Sequence, residues 1–185
     1  MEKQAALDLL EFIHESPTNF HAVLSIKQRL QAHGFKQLFS GEAWHIEHGG
    51  KYFVTKNHSS LYAFIPGNGN LAEEGFKLIC AHSDSPTFRI KPHAEMPVEG
   101  KYLKLNTEVY GGPIMYTWFD RPLAIAGRVA CRSREALSPS VKLVNIPRPV
   151  CIIPNIAIHM NPDANNGFVP NKQTDLIPML GQISQ

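Results

Sequence analysis

Cysteine is scarce in this chain of 185 residues: Cys80, Cys131 and Cys151 are the whole complement, and no two form a Cys-x-x-Cys pair. The odd number argues against a disulfide framework, and the missing pair argues against a four-ligand structural zinc site. Each cysteine lies in an apolar run, which predicts buried thiols in a reducing compartment. Excess charge is also lacking. The formal net charge is +2, so charge balance implies no nucleic-acid surface, and the tightest basic group (Arg128, Arg132 and Arg134) reads as a solvated strand edge. No apolar run is long enough to cross a bilayer. The opening MEKQAALDLLEFI interleaves Glu2, Asp8 and Glu11 with its apolar residues instead of forming a signal-peptide core. A cytoplasmic protein, with neither membrane nor nucleic acid as partner, is the expectation. There is no internal repeat and no low-complexity tract.

What is present suits a globular protein: hydrophobic residues make up 43% and charged residues 18%, enough for a core and unlike a disordered chain. Helical spacing dominates the start, where Ala6, Leu9, Leu10 and Ile13 share one face. Ser16-Pro17-Thr18 ends that helix. A second starts with Thr18 or Asn19 as N-cap, carries Phe20, Val23, Leu24 and Leu30 inward, and stops at Gly34. His14, His21 and His33 read as surface or cap histidines. From Trp44 the period falls to two. Residues 51–55 and 60–65 read as neighbouring strands around an Asn57-His58 turn, followed by a loop at 66–70 whose glycines are turn residues. The apolar run Phe76-Lys77-Leu78-Ile79-Cys80-Ala81 then predicts a buried strand. Beyond Pro92 strand-like pieces follow at 102–109, 123–130, 141–146 and 151–159, and the tail from Asp175 shows no closing element. The pattern predicts an α/β fold in residues 1–92 and a β-rich module in residues 93–185.

The chemistry-bearing feature is His82-Ser83-Asp84, placed at the end of the predicted strand before the Ser85-Pro86 turn. A histidine whose second ring N–H is accepted by a carboxylate two residues on is a sensible metal ligand with its orienting partner. A strand-end histidine pinned by a carboxylate is equally an ordinary structural device, and spacing alone does not separate the two. A hydrolytic zinc site needs about three protein ligands and an open position. Glu73-Glu74 precede the run, roughly 20 Å from His82 at about 3.3 Å per residue if it is extended, and read as solvated charges. His93 reads as a surface histidine.

Four stretches together resemble one family, the M18 metallo-aminopeptidases (the aspartyl aminopeptidase and aminopeptidase I family). Residues 12–23, from Phe12 through Ser16-Pro17-Thr18-Asn19-Phe20-His21, are similar to its opening. Ala81-His82-Ser83-Asp84-Ser85-Pro86 with Phe88 to Pro92 is similar to its first metal-ligand segment. Thr117-Trp118-Phe119-Asp120-Arg121-Pro122-Leu123 with Ala126-Gly127-Arg128-Val129 is similar to another signature, and Ile153-Pro154-Asn155-Ile156-Ala157-Ile158-His159-Met160 to a fourth. They occur in the family's order.

The resemblance implies removal of N-terminal amino acids from peptides by two metal ions, usually zinc, in an α/β catalytic domain interrupted by a largely β dimerisation domain. On that basis residues 1–92 are the start of the catalytic domain, and 93–185 belong to the dimerisation insertion. His82 binds one metal, Asp84 orients it, and His159 reaches the active site of a neighbouring subunit in a homo-oligomer. A metal-bound water, deprotonated with help from a glutamate, attacks the scissile carbonyl in such enzymes. The family's bridging aspartate, glutamate pair and last ligands lie beyond the point matching Gln185. The expectation is therefore an N-terminal portion, inactive alone, and neither Glu73 nor Asp175 is a substitute ligand. Two other readings stay open: a catalytically inactive fragment that pairs with itself or an intact enzyme, and a zinc-binding structural domain. The preferred N-terminal residue is not legible.

Overall fold

A computed structural model describes residues 2–134 and 137–183. Contacts divide the chain into two units, Met1–Asp84 with Ala126–Val144, and Ser85–Ile125 with Asn145–Gln185. Both helix and sheet are present, as the composition and periodicity predict.

The first unit begins with α1 (Glu2–Glu15) and α2 (Asn19–Ala32). Thr18 is the N-cap of α2: its extended backbone (φ −140°, ψ 164°) lets its side-chain oxygen accept the His21 N–H at 3.4 Å. Gly34 ends the helix at φ 82°, where the chain reverses and Phe35 N–H donates to Leu30 O at 3.0 Å. The buried face of α2 is His21, Ala22, Val23 and Ser25. Leu24, expected inward, is exposed, one position off that face. The stripe of α1 is exposed too, with Leu9, Leu10 and Ile13 each more than half accessible. Asp8 holds α1 to α2 by accepting from Arg29 Nη1 at 2.8 Å through both carboxylate oxygens.

A three-stranded sheet follows, made of β1 (Lys36–Leu38), β2 (Tyr52–Lys56) and β3 (Ser60–Phe64) in that order. β1 is parallel to β2, and β2 is antiparallel to β3. The β2–β3 turn takes left-handed backbone at Asn57 and His58 (φ 52° and 56°), a conformation asparagine and histidine accept more readily than most residues. Tyr52 and fully buried Phe53 form the core of this unit with Ala22 and Val23.

After a single turn of helix, α3 (Leu71–Glu74), residues 75–86 take no regular structure. This overturns the expected buried strand at 76–81. Phe76 is 76% accessible and Ile79 98%. The reason is physical: a buried strand requires partners for its backbone N–H and C=O groups, and among the described residues no strand pairs with this segment. Cys80 is exposed with it, against the expectation of a buried thiol.

The second sheet has five strands in the order β4-β5-β8-β7-β6, from β4 (Thr87–Val98), β5 (Tyr102–Tyr110), β6 (Pro122–Cys131), β7 (Ser140–Ile152) and β8 (Met179–Gln182). The contact division cuts β6 after Ile125 and β7 after Val144. β4 and β5 form an antiparallel hairpin whose register shifts between Ile90 and Glu95. That irregularity brackets Pro92, so one strand spans the position where the sequence changes character. β7 likewise runs through Pro147 and Pro149, across the gap between the expected strands at 141–146 and 151–159. Proline's φ suits extended backbone, and a ladder tolerates it where an N–H is dispensable. The expected strand at 151–159 stops at Ile152.

The tail does close the fold. β8 lies between β5 and β7, with Leu103 opposite Gly181 and Ile152 opposite Met179. Leu105 N–H donates to Pro178 O at 2.8 Å. Leu176 and Ile153 are fully buried, beside Leu105, Thr107 and Ile177, and these make the core of the second unit.

Candidate functional site

His82 and Asp84 meet as the sequence predicts. His82 Nδ1–H points at Asp84 O (2.8 Å) and Asp84 Oδ1 (3.1 Å). A ring nitrogen held this way fixes the tautomer and leaves the lone pair on Nε2, the state in which imidazole ligates a metal. The His82 side chain is 82% accessible. Ser83 Oγ–H also donates to Ser59 O at 3.2 Å. Among the described residues this segment is held without strand pairing.

The other residues considered are arranged differently. Glu73 and Glu74 lie in α3. His93 is exposed on β4. Asp175 is engaged in its own loop, accepting Asn171 N–H at 2.7 Å and Thr174 Oγ1–H at 3.0 Å. His159 is exposed in a short 3-10 turn, Ile158–Met160, in the second unit. Arg128, expected on a solvated edge, is exposed but engaged: it donates to Asn57 O at 2.9 Å and lies over the Phe20 ring.

Two ionisable groups are displaced by burial. Burial lowers the His21 pKa from its ordinary value by disfavouring the charged ring, and Thr18 Oγ1 sits 2.8 Å from its Nδ1. Burial raises the Cys151 thiol, which makes it a weak nucleophile. Neither belongs to the His82 segment. Among the described residues no group of three or more His, Cys, Asp or Glu side chains is placed to hold a metal ion. Among the described residues the His82–Asp84 pair is one imidazole and one carboxylate, which is not by itself a zinc site.

Sequence reasoning gave no role to Asp120. Its carboxylate Oδ1 accepts Asn155 N–H at 2.9 Å, and its own N–H donates to Ile153 O at 2.9 Å. The Trp-Phe-Asp-Arg stretch was visible as a motif, but its partner lies 35 residues on, beyond the reach of spacing arguments.

A mixed helix-and-sheet chain with a pinned histidine of ligand type is consistent with part of a metallopeptidase. The family model for aminopeptidase I zinc metalloproteases (M18) matches residues 12–185, and the chain belongs to that family. A relative from Clostridium novyi (strain NT), described as "Probable M18 family aminopeptidase 2", is 57% identical over 179 residues, covering 97% of this chain and 41% of the relative. Among solved structures, one in the cryo-EM structure of the Ape4 and Nbr1 complex superposes with a TM-score of 0.90 at 42% identity, covering 97% of this chain and 34% of that one. The S. cerevisiae mApe1 dodecamer gives a TM-score of 0.79 at 29% identity, with 95% and 38% covered. The chain thus spans about two fifths of the length of the curated relatives it matches.

Proposed function

We propose that this chain is the N-terminal portion of a zinc-dependent aminopeptidase that removes N-terminal amino acids from peptides. The observation that carries the reading is the family match over residues 12–185, within which His82 has the ring orientation a ligand needs. On this reading residues 1–92 contribute to the catalytic α/β domain and 93–185 to a β-rich dimerisation domain. His82 supplies one ligand of a two-zinc site and Asp84 keeps its tautomer. Residues outside this chain supply the remaining ligands and the general base. His159 serves the active site of a neighbouring subunit in a cytoplasmic homo-oligomer. The dodecameric assembly of the yeast relative supports that last element.

Two consequences can be measured. Alone, these 185 residues release no amino acids from peptides in the presence of zinc; metal-dependent release by the pure chain would overturn the proposal that they lack the rest of the site. The chain also joins the intact Clostridium novyi relative in a mixed assembly, seen by size-exclusion chromatography with light scattering. When the residue of that relative matching His159 is replaced by alanine, adding this chain restores hydrolysis, and adding its His159→Ala variant does not. A monomer that never enters the assembly would remove the oligomer reading. Equal restoration by both chains would remove the role of His159.

A further inference from the structure

We infer that Asp120 is the positioning residue that sets the segment carrying His159; the functional meaning of that position rests on the reading of His159 proposed above. Asp120 has φ 58°, in the left-handed region that Asn, Asp and His enter more readily than other L-residues. That backbone turn lets one residue grip the following segment twice. Its N–H donates to Ile153 O at 2.9 Å, and Phe119 and Ile153 form a parallel bridge. Its Oδ1 accepts Asn155 N–H at 2.9 Å. Ile153 is fully buried, so the near end of the segment is fixed in the core.

From there the order passes outward through local bonds. Asn155 Oδ1 accepts Ile156 N–H at 2.9 Å, Met160 N–H donates to Ala157 O at 2.8 Å, and Asn161 N–H donates to Ile158 O at 3.2 Å. The last two close the 3-10 turn that presents His159. The described residues from Pro154 to Met160 are otherwise exposed and outside any strand. A side chain on such a segment keeps one direction only if the segment is anchored, and the Asp120 carboxylate is the side-chain anchor at Asn155. This gives the Trp-Phe-Asp-Arg stretch a physical reason for an Asp or Asn at its third position: the residue must both accept an N–H and adopt positive φ.

Three substitutions separate these demands. Asp120→Asn keeps an acceptor oxygen and tolerates positive φ. Asp120→Gly keeps the backbone but loses the acceptor. Asp120→Ala loses both. Amide exchange and His159 ring resonances are read by NMR on the 185-residue chain. With one hydrogen bond lost, Asn155 N–H in Asp120→Gly exchanges about tenfold faster, and the His159 ring signals move toward those of a mobile histidine. Asp120→Asn retains protection and signals near the parent. Unchanged Asn155 protection in Asp120→Gly, or equal loss in Asp120→Asn, would overturn the inference. If Asp120→Ala does not fold, the Gly and Asn pair still decides. In the mixed assembly described above, Asp120→Gly lowers the restored kcat with the thermal midpoint of the chain preserved. Because exchange is measured without any reaction, a failed role for His159 leaves the Asp120 result standing, and a failed Asp120 result leaves the His159→Ala comparison standing.

Discussion

Leu176→Ala tests whether the tail is an integral part of the second sheet. Leu176 has no accessible surface. It lies just before Pro178, whose carbonyl accepts Leu105 N–H at 2.8 Å, and before β8, which separates β5 from β7. Returning a buried leucine side chain to water costs about 1.5–3 kcal/mol. The cavity left behind raises the loss to about 2–5 kcal/mol, because neighbours collapse only partly. Leu176 keeps no contact with solvent, which favours the upper half of that range. Against a folding margin of about 5–15 kcal/mol the loss is large. The chain has two tryptophans. With Trp44 replaced by Phe, fluorescence reports from Trp118 alone, which packs edge-to-face on Phe88 at 4.7 Å between ring centroids. A urea slope of about 2 kcal/mol per molar, in the middle of the usual range, converts the expected loss into a midpoint drop of about 2 M. Val169→Ala is the control: Val169 is 76% accessible, and its change stays within about 0.5 kcal/mol. A Leu176→Ala loss no larger than that of the control would refute the packing argument.

Thr18→Ala removes the N-cap acceptor of α2 and costs about 1 kcal/mol, whereas Thr18→Ser retains most of it, both read from the Trp44 urea midpoint. Burial lowers the His21 pKa in the folded chain, so between that value and the ordinary one of about 6.5 the unfolded state binds more protons. Stability from this group is therefore fully present above about pH 6.5 and is lost as pH falls through the folded value. An NMR titration in which His21 protonates at or above an ordinary histidine value would contradict that. Ile79→Lys, at a position 98% accessible, changes the stability of this chain by less than about 0.5 kcal/mol. A loss of several kcal/mol in urea denaturation would mean that residues 76–81 are buried after all.

The elements legible in the sequence are those whose cause is local. Thr18 caps α2, Gly34 ends it, and Asn57-His58 turns β2 into β3 because each acts on backbone within a few residues of itself. The readings that failed depended on distant partners. The apolar run at 76–81 has the composition of a buried strand, but composition does not supply neighbours to bond its backbone. The prolines at 147 and 149 fall between the expected strands at 141–146 and 151–159 and remove a donor there, yet whether that donor is needed depends on where the adjacent strand lies. β8 was invisible for the same reason. A run of four residues, Met179–Gln182, carries almost no periodic signal, and only insertion between β5 and β7 makes it a strand.

The same distinction governs the site. The His82–Asp84 contact spans two residues, so the His-x-Asp pattern and the geometry that realises it are nearly one statement. What the pattern could not say is what surrounds it: the expected strand is absent, and among the described residues the segment has no ladder bonds, while Ser83 reaches across to Ser59. Asp120 is the opposite case. Nothing within several residues of it shows why an aspartate is there, since both bonds that use it end 33 to 35 residues downstream, at Ile153 and Asn155. A motif with no local chemistry is therefore not a motif without function. In this chain the two readings differ only by a contact across the fold, which turns an unexplained Trp-Phe-Asp-Arg into the support beneath His159.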